Sequence, residues 1–339
     1  MKQFLSIIFL SAAITLLYSC QKEYSAEGGI VTGGGNTNGG TSEGTLGGTP
    51  GACANASLSG VYGQGLPLTD SIYNLKVQVK ITKAGTYTIG TDTVNGVFFS
   101  KSGNFTDTGI QIVTLKAFGS PSNPGVFVST VKYKGSSCSF EVEVLAVAVT
   151  NGNDYFPTTA NSSWTYNNDL AIPPMPDTFR VTSTGALKDF AGNSYSVFVS
   201  TPGTDSAFYR KGSGLYHEYI NNLVIPGSTN TVSGEYTFLK DNVPANSQWE
   251  SAEFPVTLGV IPTKVKVRLT LMAKNVNKII GRKVYANVMV VKRELQVLVL
   301  TAYQTVDASE EWYAKGIGLI NDKGVAFPYT NDILTYKVF

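Results

Sequence analysis

The fold class of this chain is decided by a repeating pattern that is clearest in residues 75–82, LKVQVKIT. Apolar and polar residues alternate there, with Leu75, Val77, Val79 and Ile81 set against Lys76, Gln78, Lys80 and Thr82. Successive side chains of a β-strand point to opposite faces, so this period of two predicts a strand with one buried and one solvated face. Residues 138–144 repeat the pattern, with Cys138, Phe140, Val142 and Val144 on one face.

Turn residues separate such runs throughout residues 53–150, for example Asn95-Gly96 and Asn123-Pro124-Gly125. Short alternating strands with turns at this spacing are typical of an antiparallel β-sandwich. A polar turn cluster at residues 149–154 then suggests a domain boundary. We therefore assign residues 53–150 to a first β domain and residues 151–339 to a second.

The second domain is also rich in strand patterns. Residues 264–271, KVKVRLTL, alternate in the same way, and convincing helical periodicity is absent. The β-branched stretch Val284–Leu300 has no turn residues around its middle. It is compatible with one long bent strand or with a hairpin, and the predicted fold class of the chain is all-β.

The N-terminal residues 1–20, MKQFLSIIFLSAAITLLYSC, carry a targeting pattern. The apolar run Phe4–Tyr18 has 15 residues, whereas a spanning helix needs about 20, so residues 1–19 are interpreted as a signal peptide. Leu17-Tyr18-Ser19-Cys20 resembles the bacterial lipobox. This resemblance implies cleavage before Cys20, a diacylglycerol group on its thiol and a palmitate-type acyl chain on its amine, which together would hold the chain at a membrane.

Residues 20–52 are interpreted as the lipidated cysteine and a flexible tether. From Gly28 to Gly51, 11 of 24 residues are glycine, which predicts an end-to-end distance of roughly 25–30 Å. The charged patch Gln21-Lys22-Glu23 resembles the surface-export signal of Bacteroidota lipoproteins. It implies an outer-membrane location on the cell surface, with a periplasm-facing lipoprotein as the alternative.

Two further resemblances concern the domains. The runs TKAGTYTIGTDTVNGVFFSKSGNFTDTGIQIVTL and GSSCSFEVEV resemble an immunoglobulin-like module of Bacteroidota cell-surface proteins, which implies a β-sandwich with a structural or displaying role. The segments around Trp164, Trp249 and Trp312 resemble a family of uncharacterised Bacteroidota lipoproteins. That resemblance implies a larger, curved antiparallel sheet and brings no established activity with it.

The chain contains three cysteines, and lipidation would use Cys20. Cys53 and Cys138 then remain in an exported, oxidising compartment, so we predict a disulfide between them, with two free thiols as the alternative. The bridge would close a loop of about 85 residues and stabilise the domain by about 4 kcal/mol on loop-entropy grounds.

Composition excludes several kinds of partner. The formal net charge is only +2, from 26 basic and 24 acidic residues, which supplies no field for a nucleic acid. A single histidine, His217, excludes a His-rich metal site and any mechanism that needs two histidines. No G-x-S-x-G elbow occurs, so His217 is interpreted as an ordinary strand residue, and no catalytic residue, metal or cofactor is expected.

The candidate ligand-facing residues are Glu311, Trp312 and Tyr313. Glu310-Glu311 is the only adjacent acid pair beside an aromatic residue, but neighbours in a strand cannot both face one substrate. A glycosidase would need two carboxylates facing each other across a cleft. We therefore expect the acid pair to lie in a solvated hairpin next to a tryptophan of the core.

These patterns predict a non-enzymatic lipoprotein that binds glycan or protein, or has a structural role. The alternatives are a carrier of an apolar ligand inside a curved sheet and, less favoured, a glycoside-active enzyme. A closed apolar cavity of several hundred Å³ would indicate the carrier. A cleft that sets Glu311 opposite a second acid, with His217 or Trp312 in its lining, would indicate the enzyme.

Overall fold

The computed structural model describes residues 40–167, 169, 177–203, 205–325 and 328–339. These residues contain strands, turns and irregular segments but no helix, which confirms the all-β class. In this part of the chain, accordingly, no helix has the length and apolar character to cross a membrane. The signal peptide, Cys20 and most of the tether lie outside the described residues. The chain divides into two compact units, represented by residues 40–146 and 147–339.

The strands of the first unit are β1 (Glu43–Leu46), β2 (Ser57–Ser59), β3 (Tyr62–Gly63), β4 (Asn74–Lys83), β5 (Gly85–Thr91), β6 (Val97–Phe105), β7 (Gly109–Gly119), β8 (Gly125–Tyr133) and β9 (Ser136–Val147).

Hydrogen bonding in the first unit runs from β4 through β7, β6, β5 and β8 to β9. β1 and β2 pair with β4, and β3 pairs with β9 in parallel. The strand β6 is shared, because its residues 97–100 pair with β7 and its residues 100–105 pair with β5. One strand thus carries the chain from the β4–β7 side of the unit to the β5–β8–β9 side.

In the first unit, buried and solvent-facing residues alternate along β4 as the sequence predicts. Leu75, Val77 and Val79 are 0% exposed, and they pack in one cluster with Phe140 and Val142 of β9. A disulfide joins Cys53 to Cys138 in the same cluster, and Cys138 is 1% exposed. The predicted disulfide is therefore present, and it joins the segment between β1 and β2 to β9, the last strand of the unit.

The strands of the second unit are β10 (Ser163–Asn167), β11 (Thr178–Phe190), β12 (Asn193–Thr201), β13 (Ser206–Gly212), β14 (Leu215–Val224), β15 (Thr231–Lys240), β16 (Gln248–Glu250), β17 (Phe254–Leu258), β18 (Ile261–Ile280), β19 (Lys283–Val299), β20 (Ala302–Ala314), β21 (Gly318–Gly324) and β22 (Thr330–Lys337).

Antiparallel pairing connects these strands without a break. The order runs from β15 through β14, β13, β12 and β11 to β10, then through β22, β21, β20 and β19 to β18, which also pairs with β16 and β17. Tyr236 and Phe238 of β15 belong to one apolar cluster with Leu269 of β18 and Val291 of β19. Side chains of β15, at one end of this pairing order, therefore pack against side chains of β18 and β19, which lie at the other end.

The stretch that the sequence left undecided, Val284–Leu300, is one strand. It forms nearly all of β19, which pairs with β18 on one side and β20 on the other. The pairing register with β18 shifts at three places between Leu271 and Lys278. Such bulges bend a strand and increase its twist, and the extra residue lies on β18 at the first two shifts and on β19 at the third.

Candidate functional site

A partly enclosed cavity lies inside the second unit, lined by side chains of β10–β15 and β20–β22 together with Phe156. The space between its lining atoms is about 860 Å³ with the open mouth included, and about 90 Å³ of it can hold the centre of a water molecule. One water needs roughly 10–15 Å³ on the latter measure, so the cavity has room for several waters or for a small ligand. Of its 16 lining residues nine are aromatic, three are acidic and none is basic.

Strand alternation places these side chains. Trp164 and Tyr166 are two positions apart in β10, as are Tyr236 and Phe238 in β15, so each pair faces the same side of its strand. Phe198 of β12 is 1% exposed and stacks on Trp164, with ring centroids 5.9 Å apart. The aromatic wall is therefore built from several strands, each of which contributes residues at every second position.

Two of the three acidic residues receive short hydrogen bonds from tyrosines. The hydroxyl of Tyr313 donates to Oε2 of Glu311 over 2.6 Å, and the hydroxyl of Tyr236 donates to Oε2 of Glu218 over 2.6 Å. Glu311 is 2% exposed and Glu218 is half-buried. Hydrogen bonds to an ionised acceptor are about twice as strong as neutral ones, so these tyrosines stabilise two carboxylates at the cavity wall.

The third acid, Asp322, lies directly opposite Glu311 in the pairing of β20 with β21. Asp322 is 8% exposed, and the hydroxyl of Tyr329 donates to its carboxylate oxygens over 3.2 and 3.3 Å. Directly opposite side chains in an antiparallel pair have Cβ atoms about 4.5–5.5 Å apart, and like charges in that arrangement repel. The cavity therefore has two buried carboxyl groups side by side at the β20–β21 pair.

One buried cation faces these acids from β19. Arg293 is 6% exposed and interacts with Tyr236, Glu311 and Glu218. Burial by itself lowers the pKa of Arg293, but these neighbours outweigh that effect and raise it above its usual range. This part of the cavity wall therefore contains three carboxyl groups and, next to them, one guanidinium.

The cavity tyrosines remain protonated at every ordinary pH. Burial raises the pKa of Tyr313 and of Tyr236 well above 10, and the neighbouring carboxylates Glu311 and Glu218 raise them further. Burial also raises the pKa of Tyr209 well above 10, and the charge of Glu218 adds to the effect. These hydroxyls therefore act as hydrogen-bond donors and not as bases.

The structure brings together two of the three candidate ligand-facing residues. Glu311 and Tyr313 line the cavity, whereas Trp312 lies on the opposite face of β20 with Glu310. The indole Nε1 of Trp312 donates to Oε1 of Glu310 over 2.6 Å, and Nζ of Lys278 lies 4.0 Å from the Trp312 ring centroid.

The expected environment of the acid pair was wrong in part. Glu310 and Glu311 belong to the antiparallel hairpin of β20 and β21, as expected, but Glu311 is buried and Trp312 is only half-buried. The physical reason is the phase of the strand, because Ser309, Glu311 and Tyr313 share one face of β20 and all three are buried.

His217 does not line the cavity. It lies in β14, and its neighbour Glu218 occupies the inward position. Its Nδ1 lies 3.1 Å from Oγ1 of Thr237 and 3.4 Å from Oε1 of Glu235. Burial lowers the pKa of His217, and the positive charge of Arg210 lowers it further. It belongs to a separate polar cluster on the other side of the sheet.

Sequence reasoning missed Glu218, Asp322 and the aromatic wall. A usable signal exists for both acids, because each is in phase with an apolar residue of its own strand: Glu218 with Tyr216, and Asp322 with Ile320. Tyr216 is 5% exposed and Ile320 is 0% exposed. An acidic residue on the same face of a strand as buried apolar residues therefore indicates a polar cavity more strongly than two adjacent acidic residues do.

The cavity acids are not arranged as metal ligands. Across the described residues, no group of three or more histidine, cysteine, aspartate or glutamate side chains is placed to hold a metal ion. The lining is mainly aromatic, whereas hard divalent cations take six or more oxygen ligands. The chemistry available is therefore ring packing, hydrogen bonding and charge.

Comparison with protein-family models, with curated proteins and with solved structures finds no match to this chain.

Proposed function

We propose that this chain is a lipid-anchored outer-membrane protein, displayed on the cell surface, that binds glycan in the cavity of its second unit without catalysis. The anchoring part rests on sequence alone: the apolar N-terminal run, the lipobox-like residues ending at Cys20, and the glycine-rich tether. Two or more acyl chains on Cys20 would hold the chain stably at a membrane.

The observation that carries the binding proposal is the combination of aromatic faces and hydrogen-bonded carboxylates in one open cavity. A sugar ring offers an apolar C–H face and a rim of hydroxyl groups. Aromatic rings such as Phe156 and Phe238, whose centroids lie 5.0 Å apart, can pack against the C–H face. Carboxylates such as Glu311 and Glu218 can accept hydrogen bonds from the hydroxyl groups.

For the first unit we propose an immunoglobulin-like sandwich that displays the second. Its support is the two-sided core, in which β4 residues pack with β9 residues, and the shared strand β6. For the second unit we propose a curved sheet, whose support is a cavity lined by nine of its thirteen strands. Both assignments also rest on the resemblances described above.

The carrier of an apolar ligand is a weaker candidate. The cavity is partly open, and three acidic side chains belong to its wall. A carrier would need a closed apolar cavity, whereas the carboxyl groups of this wall are hydrogen-bond acceptors that an apolar ligand would leave unused.

A glycoside-active enzyme is the second candidate, because Glu218, Glu311 and Asp322 all line one cavity and glycosidases use two carboxylates. Against it, neither His217 nor Trp312 lines the cavity. Such an enzyme also keeps one acid protonated to protonate the leaving group, whereas Glu218 and Glu311 both interact with the cation Arg293.

A glycan array probed with the full chain in detergent tests the proposal. We expect binding to at least one glycan, a tenfold or greater loss of signal for Glu218→Gln, and no loss for Glu141→Gln in the first unit. An array without signal would contradict glycan binding. Release of reducing sugar from a bound glycan, abolished by Glu311→Gln, would show the enzyme instead.

A further inference from the structure

We propose that one outer face of the first unit lies on an anionic lipid surface, that of the membrane which the acyl chains of Cys20 would enter. This inference rests on the lipid anchor of the proposed function and adds which side of the protein meets the membrane. The face belongs to the paired strands β4 and β7, and we call it the β4–β7 face. Its outward side chains include Lys76, Lys80, Ile110, Ile112, Lys116 and Phe118.

The first argument is the exposed apolar surface that strand alternation places in one row along β7. Ile110 and Ile112 are 67% and 56% exposed. Farther along the row, Phe118 stacks on Phe98 of β6 with ring centroids 5.2 Å apart, and Nζ of Lys116 lies 5.7 Å from the Phe118 centroid. Single exposed apolar residues are normal, but a row of them on one sheet face, flanked by polar residues, marks an interaction surface.

The second argument is the charge around this row. Lys80 lies directly opposite Ile110 in the strand pair, and Ile112 lies diagonally between Lys76 and Lys80. Neither β4 nor β7 contains an acidic residue. Apolar side chains among lysines suit an anionic membrane, because the apolar groups enter the headgroup region while the ammonium groups attract the lipid phosphates.

Two acidic residues lie close to the β4–β7 face in the chain but do not reverse its charge. Oε1 of Glu43 lies 3.6 Å from Nζ of Lys83, so this pair is neutral. Asp107, in the turn between β6 and β7, opposes one of the three lysine charges of the face. The face therefore keeps a formal positive charge.

The other side of the unit has exposed apolar residues with the opposite kind of neighbour. Val126 and Val128 of β8 are 60% and 57% exposed, and they lie directly opposite Glu143 and Glu141 of β9. An anionic lipid surface repels carboxylates in that position. Charge therefore selects the β4–β7 face, and exposure alone does not.

The third argument is the place where the tether joins the unit. The first described residue, Gly40, accepts a hydrogen bond from the backbone N–H of Thr86 over 3.0 Å, next to the turn between β4 and β5. β7 begins at the same end of β4. Lys80 and Ile110 therefore lie at the end of the face where the tether arrives.

The length of the tether keeps the face near the lipid. Residues 20–39 precede Gly40, and a glycine-rich chain of 20 residues has an expected end-to-end distance of roughly 22–27 Å. The part of β4 from Lys76 to Lys83 extends about 24 Å at about 3.4 Å per residue. An anchor at Cys20 would therefore hold the face within about its own length of the membrane, which raises the effective concentration of lipid around it.

The test is side-chain footprinting of the full lipidated chain, inserted into preformed vesicles from the outside, with oxidation by hydroxyl radicals measured by mass spectrometry. Vesicles of phosphatidylcholine alone are compared with vesicles of two parts phosphatidylcholine to one part phosphatidylglycerol. We expect the oxidation of Ile110 and Ile112 to fall at least threefold in the anionic vesicles, while that of Val126 and Val128 stays unchanged. High salt should reduce this protection, because it screens the attraction.

Two double variants locate the charge dependence. Lys76→Gln with Lys80→Gln should return the oxidation of the two isoleucines in anionic vesicles to its level in neutral ones. Lys132→Gln with Lys134→Gln removes the same charge from β8 and the turn after it and should leave the protection unchanged. All four lysines are exposed, so both variants should fold. Equal loss of protection in the two variants would show a general electrostatic effect and overturn the assignment to this face.

The outcomes separate this inference from the proposed function. Equal oxidation of the isoleucines in both kinds of vesicle would overturn the inference and leave the lipid anchor and the glycan site standing. Protection that grows with the ratio of protein to lipid, and not with the anionic lipid, would show a second copy of the chain as the occupant and overturn it as well. A chain that takes up no palmitate analogue and does not associate with vesicles would overturn both, because the tether argument needs the anchor.

Discussion

At the scale of single residues, the informative feature is an acidic side chain on the buried face of a strand. Glu311 lies two positions before the buried Tyr313, and Asp322 two positions after the buried Ile320. A charge in such a position lowers the stability of the fold unless partners compensate it. Here the partners are tyrosine hydroxyls and Arg293. A few polar groups in a mainly aromatic cavity are typical of ligand sites, which favours a functional reason for these acids.

The hydrogen bond from Tyr313 to Glu311 makes a testable contribution to stability. Tyr313→Phe removes the donor and leaves a buried carboxylate oxygen with a lost partner, so we expect the free energy of unfolding to fall by about 1–3 kcal/mol. Urea unfolding followed by tryptophan fluorescence measures this change. All three tryptophans, Trp164, Trp249 and Trp312, belong to the second unit, so the signal reports that unit alone.

The matched control is Tyr303→Phe, which removes a hydroxyl bonded over 2.7 Å to the exposed residue Glu253. Water can replace this donor, so the urea midpoint should stay near that of the unaltered chain. If both variants shifted the midpoint equally, burial of Glu311 would not be the source of the effect.

His217 should make the second unit less stable in mild acid. Burial, assisted by Arg210, lowers its pKa from the usual 6.5 in the folded chain. The unfolded chain then binds a proton near pH 6.5 that the folded chain does not bind, so stability falls as the pH drops through that value. Urea unfolding at pH 7 and pH 5.5 measures the difference.

Because His217 is the only histidine of the chain, His217→Gln should remove most of this pH dependence. The pKa of Glu235, which Arg210 and Tyr195 lower despite burial, affects stability at pH values below 4.5 and does not confuse the comparison. A variant that kept the full difference between pH 7 and pH 5.5, or a chain that became more stable in acid, would contradict the assignment.

At the scale of elements, a period of two is sufficient to predict strands but not their partners. The alternation in residues 75–82 and 264–271 lies within β4 and β18 as the pattern requires. The stretch Val284–Leu300 could not be resolved from sequence because the register shifts of its pairing with β18 depend on both strands. The acid pair lies in the hairpin of β20 and β21, but its expected exposure to solvent was wrong, because the burial of Glu311 depends on the strands that pack around it.

The disulfide is the element-scale contact with the largest expected effect. Cys53→Ala combined with Cys138→Ala opens a loop of 85 residues and should lower the free energy of unfolding of the first unit by about 4 kcal/mol. Hydrogen exchange of peptides from residues 40–146 measures the change for that unit.

Reduction of the unaltered chain should reproduce the loss, and reductant should have no effect on the double variant. If hydrogen exchange were unchanged both in the reduced unaltered chain and in the double variant, packing around Cys138, and not the covalent link, would supply the stability.

At the scale of the whole molecule, the expectation is a lipid anchor, a tether and two β units. The anchor and residues 20–39 of the tether lie outside the described residues and remain predictions, whereas residues 43–46, which were assigned to the tether, form β1 and pair with β4. Each unit has its own apolar core: Leu75 and Phe140 belong to that of the first, and Leu269 and Val291 to that of the second.

Cys20→Ser should release the chain from the membrane. The variant lacks the thiol that lipidation requires, so we expect no incorporation of a palmitate analogue and recovery of the chain in the soluble fraction. Cys53→Ser keeps Cys20, so this variant should still incorporate the palmitate analogue and should remain in the membrane fraction. Protease treatment of intact cells should release peptides of the second unit from the unaltered chain.

A labelled Cys20→Ser chain would contradict the anchor. Peptides released only after permeabilisation would contradict surface display and show the periplasm-facing alternative, while the lipid anchor would stand.

The sequence by itself determined the strand class, the inward face of β4, and the presence of two cysteines able to pair, because each depends on residues close in the chain or on a count. Only the tertiary structure decided that Glu218, Asp322 and Glu311 share one cavity. These residues lie on β14, β21 and β20. Their approach depends on which strands pair and where the register shifts, and that information is spread over the whole second unit and absent from any local pattern.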